Sequence, residues 1–402
     1  MRRPAVLYVS YDGMLEPLGQ SQVITYLERL SDEFAVHLIS YEKPADRDDA
    51  PRREAIAARL GRAGIVWHPL TYHKHPTVPA TLFDLGQGLV VALSLAARHH
   101  VRIVHARSYI PALIGWIVKR LTGAKLLFDM RGLWPDERID GGIWSRESRV
   151  YRAVKRLEQT LLLGADHIVT LTHASKREIE RFPYLASTSH APISVIPTCA
   201  DLDRFSPADA RALGSPKAPF TLGYLGSIGT WYLFDEVLAC FALIRAHRPD
   251  ARMLVVNRNE QDLARTKLAA HGIDPALVEI VAAEHGQVPG LVRRMTAGTA
   301  INRAAYSQIA NAPTKLAEYL GCGVPCLGSN STGDIGAILE DNRVGVALMG
   351  LTDAARRDAV DRLLALCDDP DLPARCRTTA LRLFSADKGA AAYRAIYREL
   401  LA

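Results

Sequence analysis

The residues best suited to chemistry lie in the segment over residues 311–326, NAPTKLAEYLGCGVPC. Its pattern predicts a loop, then a helix that begins at Pro313 and Thr314, because proline is favoured in a first helical turn and glycine just past a helix end. The free N–H groups of that turn form an anion site suited to phosphate. Lys315 adds a positive charge, and Glu318 is placed to accept both hydroxyls of a ribose. In the alternative interpretation this is an ordinary surface helix.

A second group of polar residues lies in the loop over residues 129–144, after a predicted strand. Asp129 and Glu137 are candidates to position or deprotonate an acceptor hydroxyl. Arg131 presents a planar fork that suits a carboxylate or a phosphate. In the alternative interpretation the loop is structural, and Arg131 pairs with Asp136 or Glu137.

The elements that must position these residues follow an alternating pattern. Short β-branched runs alternate with helical patterns, which predicts parallel sheets covered by helices. The predicted strands cover residues 6–10, 36–40, 103–105, 125–129, 167–171, 194–196, 221–225, 252–257, 278–281, 299–302 and 325–327. Ligands of such sheets bind at the carboxyl ends of the strands. His105 lies at such an end, where a structural role is favoured over a catalytic one.

The chain is expected to form two domains. Residues 206–220 are rich in proline and lack periodicity, so we interpret them as a linker. The predicted fold is α/β, with two doubly wound Rossmann-like domains, over residues 1–206 and 207–385, that face each other across a cleft. A C-terminal helix follows over residues 386–402.

Composition and charge narrow the classes of partner. The net charge is +6, and all of the excess lies in residues 1–200. This mild bias suits an anionic substrate or membrane surface, and it is too weak to indicate nucleic acid. The six cysteines form no CxxC or zinc spacing, which predicts free thiols in a reducing compartment.

The sequence also predicts a soluble or peripheral protein in the cytoplasm. The apolar run at the N-terminus is too short for a signal peptide. The longest apolar stretch, residues 89–97, is less than half of the ~20 residues that a membrane span needs. A predicted helix over residues 145–163 carries an apolar stripe and many arginines. It is either a surface that touches anionic lipid at the inner membrane face or the solvated face of a packed helix.

Six segments together resemble the retaining GT-B glycosyltransferases of family 4. Residues 311–326 resemble the donor-binding motif of that family, in which the second glutamate of an E-x7-E pattern precedes a glycine-containing turn. The other five segments match in order along nearly the whole chain: 11–23 the first glycine-containing loop, 103–108 a strand end, 165–172 a strand, 195–205 the segment before the linker, and 224–229 the phosphate loop of the second domain.

The resemblance implies transfer of a sugar, with retention of configuration, from a nucleotide sugar to a glycan or a polyprenyl- or other lipid-linked acceptor. It also implies a role in cell-surface polysaccharide or glycoconjugate synthesis, no metal or other cofactor, and a final helix packed on the first domain. The implied donor-binding residues are Gly19, Gln20, Gly226, Ser227, Asn257, Thr314, Lys315 and Glu318. The residues placed near the reaction are Arg131, Glu137, Asp129 and His105.

Three positions depart from the family pattern. Ala310 replaces the first glutamate of E-x7-E, residues 226–234 lack the usual cations, and Arg131 precedes Gly132 where the family has histidine. One hypothesis is that Arg131 meets an acidic sugar, and a nucleoside-monophosphate donor would suit the same pattern. In the alternative, Arg131 binds the diphosphate of a neutral donor.

Two other functions fit the same fold. One is a nucleotide-sugar epimerase or hydrolase, for which no set of catalytic acids is identified. The other is a catalytically inactive nucleotide-sugar-binding protein, which the absence of the first glutamate, at Ala310, makes possible. Lys315, Glu318 and the intact glycine turn argue against an inactive protein.

Overall fold

The computed structural model describes residues 3–207, 219–229, 231–284 and 286–402. It divides into two compact units, which we call the first unit, Met1–Pro197 with Ala386–Ala402, and the second unit, Thr198–Ser385. The observed boundary between the units, after Pro197, comes earlier in the chain than the boundary predicted after residue 206. Ala200 already pairs with Ser385 in the second unit, and Phe205 belongs to a core of that unit. Most of the predicted linker, residues 208–218, lies outside the described residues.

The first unit contains a parallel sheet of seven strands within residues 3–197, in the order β3-β2-β1-β4-β5-β6-β7. The strands are β1 (Ala5–Ser10), β2 (Ala35–Glu42), β3 (Val66–Thr71), β4 (Ile103–Arg107), β5 (Lys125–Asp129), β6 (His167–Thr170) and β7 (Ile193–Val195). The interior strand β1 is buried throughout, as expected for a strand covered on both faces. β3 does not follow from the sequence pattern, because it is an edge strand that tolerates Pro69.

The helices of the first unit lie between these strands. They are α1 (Pro17–Gly19), α2 (Thr25–Leu30), α3 (Pro44–Arg47), α4 (Ala50–Arg62), α5 (Thr77–His99), α6 (Tyr109–Thr122), α7 (Trp134–Asp140), α8 (Arg149–Gly164), α9 (His173–Glu180) and α10 (Pro183–Ala186). A π-helical turn, Gln20–Ile24, joins α1 to α2.

The second unit contains a parallel sheet of six strands within its described residues, in the order β10-β9-β8-β11-β12-β13. The strands are β8 (Thr221–Leu225), β9 (Arg252–Val256), β10 (Val278–Val281), β11 (Ala297–Ala300), β12 (Cys326–Ser329) and β13 (Gly345–Leu348). The helices are α11 (Phe234–His247), α12 (Gln261–Ala270), α13 (Val288–Val292), α14 (Thr314–Gly321), α15 (Ile335–Asp341), α16 (Asp353–Cys367) and α17 (Leu372–Leu383). The predicted α/β fold with two doubly wound sheets is confirmed.

The last helix, α18 (Ala386–Leu401), belongs to the first unit and packs against α2 and β4. The ring of Tyr397 lies edge-on to Phe34, with ring centroids 5.0 Å apart. Arg398 pairs with Glu33 at 2.7 Å on the outer side of the helix. This helix therefore seals the sheet of the first unit with residues from the far end of the chain.

Both strand orders reverse direction at one point in the sheet. In the first unit the reversal lies between β1 and β4, and in the second unit it lies between β8 and β11. The loops that leave neighbouring strands there run in opposite directions and open a crevice at the carboxyl ends of the strands. A ligand site is therefore expected at each of these points.

Helix α5 is longer and more apolar than the sequence analysis recognised. Within the described residues it is the one helix long and apolar enough to cross a membrane, with 23 residues and a mean hydropathy of 1.6 over a window of 18 residues. The prediction counted only the run over residues 89–97, in which Ser94 is the one polar residue. One side of α5 packs on the first unit, where Asp84 is fully buried and accepts a hydrogen bond of 3.0 Å from the hydroxyl of Tyr11. Helix α5 is thus built into this unit on that side.

Candidate functional site

The turn after β8 is held in place by side chains from the end of β9. Gly226 has a φ of +107°, a conformation that favours glycine. The Asn257 amide donates to the carbonyl of Gly226 at 2.9 Å. The carboxylate of Glu260 accepts the backbone N–H of Ile228 at 2.7 Å. Asn257, predicted as a donor contact, therefore uses its side chain to position the loop.

Residues 226–234, which include this turn, contain no lysine or arginine. Lys315 of α14 places a cation beside the turn instead. The side chain is buried, and its ammonium group lies 3.8 Å from the ring centroid of Tyr232 and 5.0 Å from that of Tyr224. A Cβ atom on Gly226 would lie 3.3 Å from Nζ. Among the described residues, Nζ has no hydrogen-bond partner. The structure therefore holds a buried cation against two aromatic faces, with its hydrogen-bond donors unused.

Glu318 lies one turn further along α14 and is also buried. Burial raises the pKa of Glu318 to about 7, and burial lowers the pKa of Lys315 to about 7. In both cases the loss of hydration disfavours the charged form, and the attraction between the two groups compensates only in part. Two buried groups that titrate near neutral pH at a helix start are typical of a binding site.

Thr314 and Ser227, the other predicted donor contacts, flank this pair. Thr314 is half-buried at the start of α14, and Ser227 is exposed in the turn after β8. Neither residue donates a side-chain hydrogen bond in the bonds found among the described residues. Both hydroxyl groups are therefore available to a ligand at the surface of the second unit.

A pocket of about 190 Å³ opens beside the ends of β11, β12 and β13. Its lining includes Asn302, Ser329 and Asn330, which the sequence analysis did not identify. In the sequence, Asn330 could have indicated this pocket, because it directly follows the buried strand β12. The buried Oδ1 atom of Asn302 has no partner among the described residues. Ala310, which replaces the glutamate of the family pattern, is 1% exposed and offers only a methyl group.

In the first unit, the end of β5 carries a buried polar network. The Tyr393 hydroxyl donates to Asp129 Oδ2 at 3.0 Å, and His105 Nε2 lies 3.5 Å from the same oxygen. Nδ1 of His105 bonds to the hydroxyl of Tyr397 at 2.7 Å. Both tyrosines come from α18, and the sequence analysis did not connect them with this site. Asp129 and His105 are each 1% exposed, so they are interior members of the site.

Burial and neighbouring charges act in opposite directions on the pKa values of this network. Burial works to raise the pKa of Asp129, but the charges of Arg131 and the contact with His105 outweigh it and hold this pKa below its usual value. Burial lowers the pKa of His105. The network thus carries an ionised carboxylate beside a neutral imidazole at neutral pH.

Two arginines beside this network have unused donors. Arg131 adopts a left-handed φ of +60°, and its Nη1 lies 3.8 Å from Asp129 Oδ1. Nε and Nη1 of Arg131 and Nη1 of Arg107 have no hydrogen-bond partner among the described residues. Nε of Arg107 donates to Asp12 at 3.1 Å. The first unit therefore presents guanidinium N–H groups at the ends of two neighbouring strands.

Arg131 forms an internal ion pair, but with Asp129 rather than with the predicted Asp136 or Glu137. Its ion-pair partner is Asp129, whereas Asp136 accepts hydrogen bonds from Tyr151 at 2.8 Å and Lys155 at 3.1 Å. Asp136 is hydrogen-bonded to α8 and forms no ion pair with Arg131 among the described residues.

Glu137 lies in α7, and burial raises its pKa to about 6.

The first glycine-containing loop is tightly packed. A Cβ atom on Gly19 would lie 2.1 Å from the carbonyl oxygen of Gly13, so this position requires glycine for packing. Gln20 begins the π-helical turn and is half-buried. The buried Glu42 accepts the N–H groups of Met14 and Leu15 at 2.8 and 3.1 Å. Glu42 was missed, although an acid at the end of an apolar strand was a usable signal.

The predicted basic helix differs in three details from the observed α8. It begins at Arg149, after Ser148 caps it by accepting the N–H of Tyr151, rather than at residue 145. Lys155 pairs with Glu158 and Asp136 and so does not belong to the solvated charges. Val150, an apolar residue of this helix, is 46% exposed and so is not part of its buried side.

Comparison with known proteins identifies the type of enzyme. Residues 19–204 match the model of Glycosyltransferase Family 4. The chain is 25% identical over 340 residues to a D-inositol 3-phosphate glycosyltransferase of Streptomyces scabiei, covering 80% of this chain and 73% of that protein. The chain is a glycosyltransferase similar to those of family 4, and its fold is of the GT-B type.

Solved structures agree with this fold. Sucrose-phosphate synthase from Thermosynechococcus elongatus superposes with a TM-score of 0.75 at 16% identity, over 99% of each chain. HepE of Anabaena, solved with UDP and glucose, has a TM-score of 0.68 at 13% identity, over 98% of this chain and 99% of its own. Lys315 and Glu318 of this glycosyltransferase lie outside the residues that match the family model. Their interpretation therefore depends on their geometry.

Proposed function

We propose that this glycosyltransferase takes a sugar from a nucleotide-sugar donor that binds the second unit. The observation that carries the proposal is the buried ammonium of Lys315, which has no hydrogen-bond partner among the described residues and lies beside the Gly226 turn. Keeping an unpaired cation buried is unfavourable unless a ligand compensates it. A donor phosphate is an anion that would do so. The complex of HepE with UDP-glucose supports the same class of donor.

Lys315 and the first turn of α14 would neutralise the charge that develops on the leaving nucleotide. Preorganised donors of this kind stabilise a transition state because they need no rearrangement when the charge appears. Thr314 lies in the same turn. Glu318 would accept the ribose hydroxyls in its ionised form. In this proposal the residues of the chain supply the neutralising charge, and no metal or other cofactor takes part.

The acceptor side of the proposal concerns the first unit. The unused N–H groups of Arg131 and Arg107 would bind an anionic group of the substrate, either a carboxylate of the sugar or a phosphate. Asp129 would position Arg131 through their ion pair, and His105 would in turn hold Asp129. Glu137, with a pKa of about 6, would position or deprotonate the acceptor hydroxyl. Retention of configuration and a glycan or lipid-linked acceptor in cell-surface polysaccharide or glycoconjugate synthesis in the cytoplasm complete the proposal.

The donor site is tested by nucleotide binding. UDP, GDP, ADP, dTDP, CMP and their sugar conjugates, including a neutral and a carboxylated sugar on one nucleotide, are compared by thermal shift. At a hundredfold excess over Kd, a ligand stabilises by about 2.7 kcal/mol. This shifts Tm by several degrees, at roughly 2–4 °C per kcal/mol. Lys315→Met and Glu318→Gln are expected to abolish the shift.

The control is Lys267→Met, which removes a lysine that is paired with Asp235 elsewhere in the second unit. This variant is expected to keep the full shift. A chain that binds none of these nucleotides, or a Lys315→Met variant that binds as well as the unaltered protein, would contradict the proposed donor site. If the carboxylated donor alone loses its shift in Arg131→Ala, Arg131 meets an acidic sugar.

The product separates transfer from the two alternative functions. Incubation of the bound donor with an acceptor panel is expected to yield a glycosylated acceptor together with free nucleotide. Free sugar or an epimerised donor instead would indicate a hydrolase or an epimerase. Binding without any product would indicate an inactive binding protein, which the alanine at position 310 would then explain.

A further inference from the structure

The outer side of α5 is an uninterrupted apolar surface. Val78, Leu82, Phe83 and Val90 are 62%, 61%, 59% and 69% exposed. At 100° per residue these positions fall on one side of the helix, together with Pro79, Gly86 and Ala97, which are also exposed. The charged residue between Thr77 and Ala97 is Asp84, and it is fully buried on the opposite side. Solvated helix faces normally carry charges, so this face is unusual for a protein surface.

Helix α5 is the first member of a layer of three helices. It packs against α6, and α6 packs against α8. On α6, Leu121 is 66% exposed and stands next to the exposed Arg120. On α8, Val150 is exposed, and the arginines at positions 149, 152 and 156 are exposed on an adjoining side of the helix. The apolar surface of α5 therefore continues across the layer into a basic edge.

The charge of this layer is positive. The acidic groups next to it include Glu147, which is exposed, and Glu158, which is buried against Lys155. Asp136 also pairs with Lys155, at 3.1 Å, and Asp166 pairs with Lys119 at 2.6 Å. Arg120 and the three exposed arginines of α8 have no acidic partner in the ion pairs found among the described residues. At the end of α5, Arg98 and the following histidines are also exposed.

We propose that the outer side of the α5–α6–α8 layer docks the first unit onto a lipid bilayer with anionic headgroups. Apolar side chains that insert below the headgroups, together with arginines at headgroup level, are the features of an interfacial helix. Helix α5 lies along the membrane surface and does not cross it, because its inner side packs on the sheet and holds Asp84. This surface is larger than the predicted basic helix alone, and the inference does not depend on the donor site.

Vesicle sedimentation of the full chain tests the proposal. Vesicles of phosphatidylcholine alone are compared with vesicles that contain about 30% phosphatidylglycerol, a negative surface that attracts basic residues. The chain is expected to bind the anionic vesicles. Leu82→Ser/Phe83→Ser/Val90→Ser is expected to reduce the bound fraction about tenfold, because apolar insertion is lost. Arg149→Ser/Arg152→Ser/Arg156→Ser is expected to remove the preference for anionic lipid.

The matched control is Leu263→Ser/Leu381→Ser, which removes two exposed leucines from the second unit. It is expected to bind like the unaltered chain. A Phe83→Trp variant provides an independent readout, because its fluorescence shifts to the blue only if position 83 enters the bilayer. Absence of vesicle binding, or binding that the serine variants do not change, would overturn the proposal. A dimer that the same variants dissociate would show that a second copy covers this face.

Discussion

At the scale of single residues, the central feature is a pair of ionisable groups kept inside the second unit. Lys315 and Glu318 both lose hydration, and their mutual attraction offsets only part of this loss. An isolated helix would show neither effect, because both side chains would then be solvated. The pair therefore acts as a preformed site whose protonation depends on pH near neutrality.

Nucleotide affinity is expected to fall as the pH rises above about 7. Burial lowers the pKa of Lys315 to about 7, so the free protein loses the ammonium charge above that pH. A bound phosphate stabilises the ammonium and raises its pKa, so binding takes up a proton. Kd should rise by up to about tenfold per pH unit until the pKa of the complex is reached. Titration calorimetry at several pH values, in two buffers of different ionisation enthalpy, measures both effects.

The variant Lys315→Met serves as the control for this pH dependence. It should bind weakly, and its affinity should not fall between pH 7 and 9, because the remaining group, Glu318, becomes more fully ionised over this range. Proton uptake that persists in this variant would assign the titration to another group. An affinity of the unaltered chain that stays constant over the same range would show that Lys315 remains protonated and that its burial is relieved in solution.

At the scale of elements, α18 completes the polar network at the end of β5. Tyr393 and Tyr397 bring their hydroxyl groups to Asp129 and His105, more than 260 positions earlier in the chain. The helix is anchored on its outer side by Arg394 and Arg398. The geometry behind Arg131 therefore depends on a helix that the loop over residues 129–144 does not contain.

Replacement of Tyr393 by phenylalanine is expected to lower the free energy of unfolding by about 1–3 kcal/mol, because a buried carboxylate loses a donor. The ring contacts remain, so the loss comes from the hydroxyl group. Urea unfolding followed by circular dichroism measures the change. A free energy of unfolding within about 0.5 kcal/mol of that of the unaltered chain would show that the Asp129 contact contributes nothing.

At the scale of the whole molecule, the two units differ in how the chain forms them. The second unit is one continuous stretch, whereas the first unit needs residues from both ends of the chain. Tyr26 and Phe34 of the first unit pack against rings of α18, with centroid distances of 5.5 and 5.0 Å. Loss of the C-terminal helix would therefore destabilise the first unit, although the helix follows the second unit in the sequence.

Deletion of residues 386–402 is expected to destabilise the first unit selectively. Limited proteolysis with mass spectrometry should find new cleavage sites within residues 3–197, because the deletion exposes Tyr26, Phe34 and His105. Residues 219–385 should stay protected when the nucleotide identified by thermal shift is present. New cleavage confined to the second unit would contradict this division of the chain.

The local pattern of the sequence was sufficient for much of the fold. The strand signals at 6–10, 125–129, 221–225 and 252–257 lie on observed strands, because buried parallel strands are continuous apolar runs. β3 was not predicted, since its residues are only half-buried and include a proline. β13 was not predicted either, and its four residues carry little periodic information.

By itself, the sequence determined the alternation of strands and helices, the two doubly wound sheets, and the helix start that carries Lys315 and Glu318. These features follow from side-chain periodicity and from the capping preferences of neighbouring residues, which are local. Only the tertiary structure decided that Lys315 stands beside Gly226, that Tyr393 supports Asp129, and that one side of α5 stays uncovered. Such contacts join residues far apart in the chain, and they depend on strand order and burial, which local patterns do not encode.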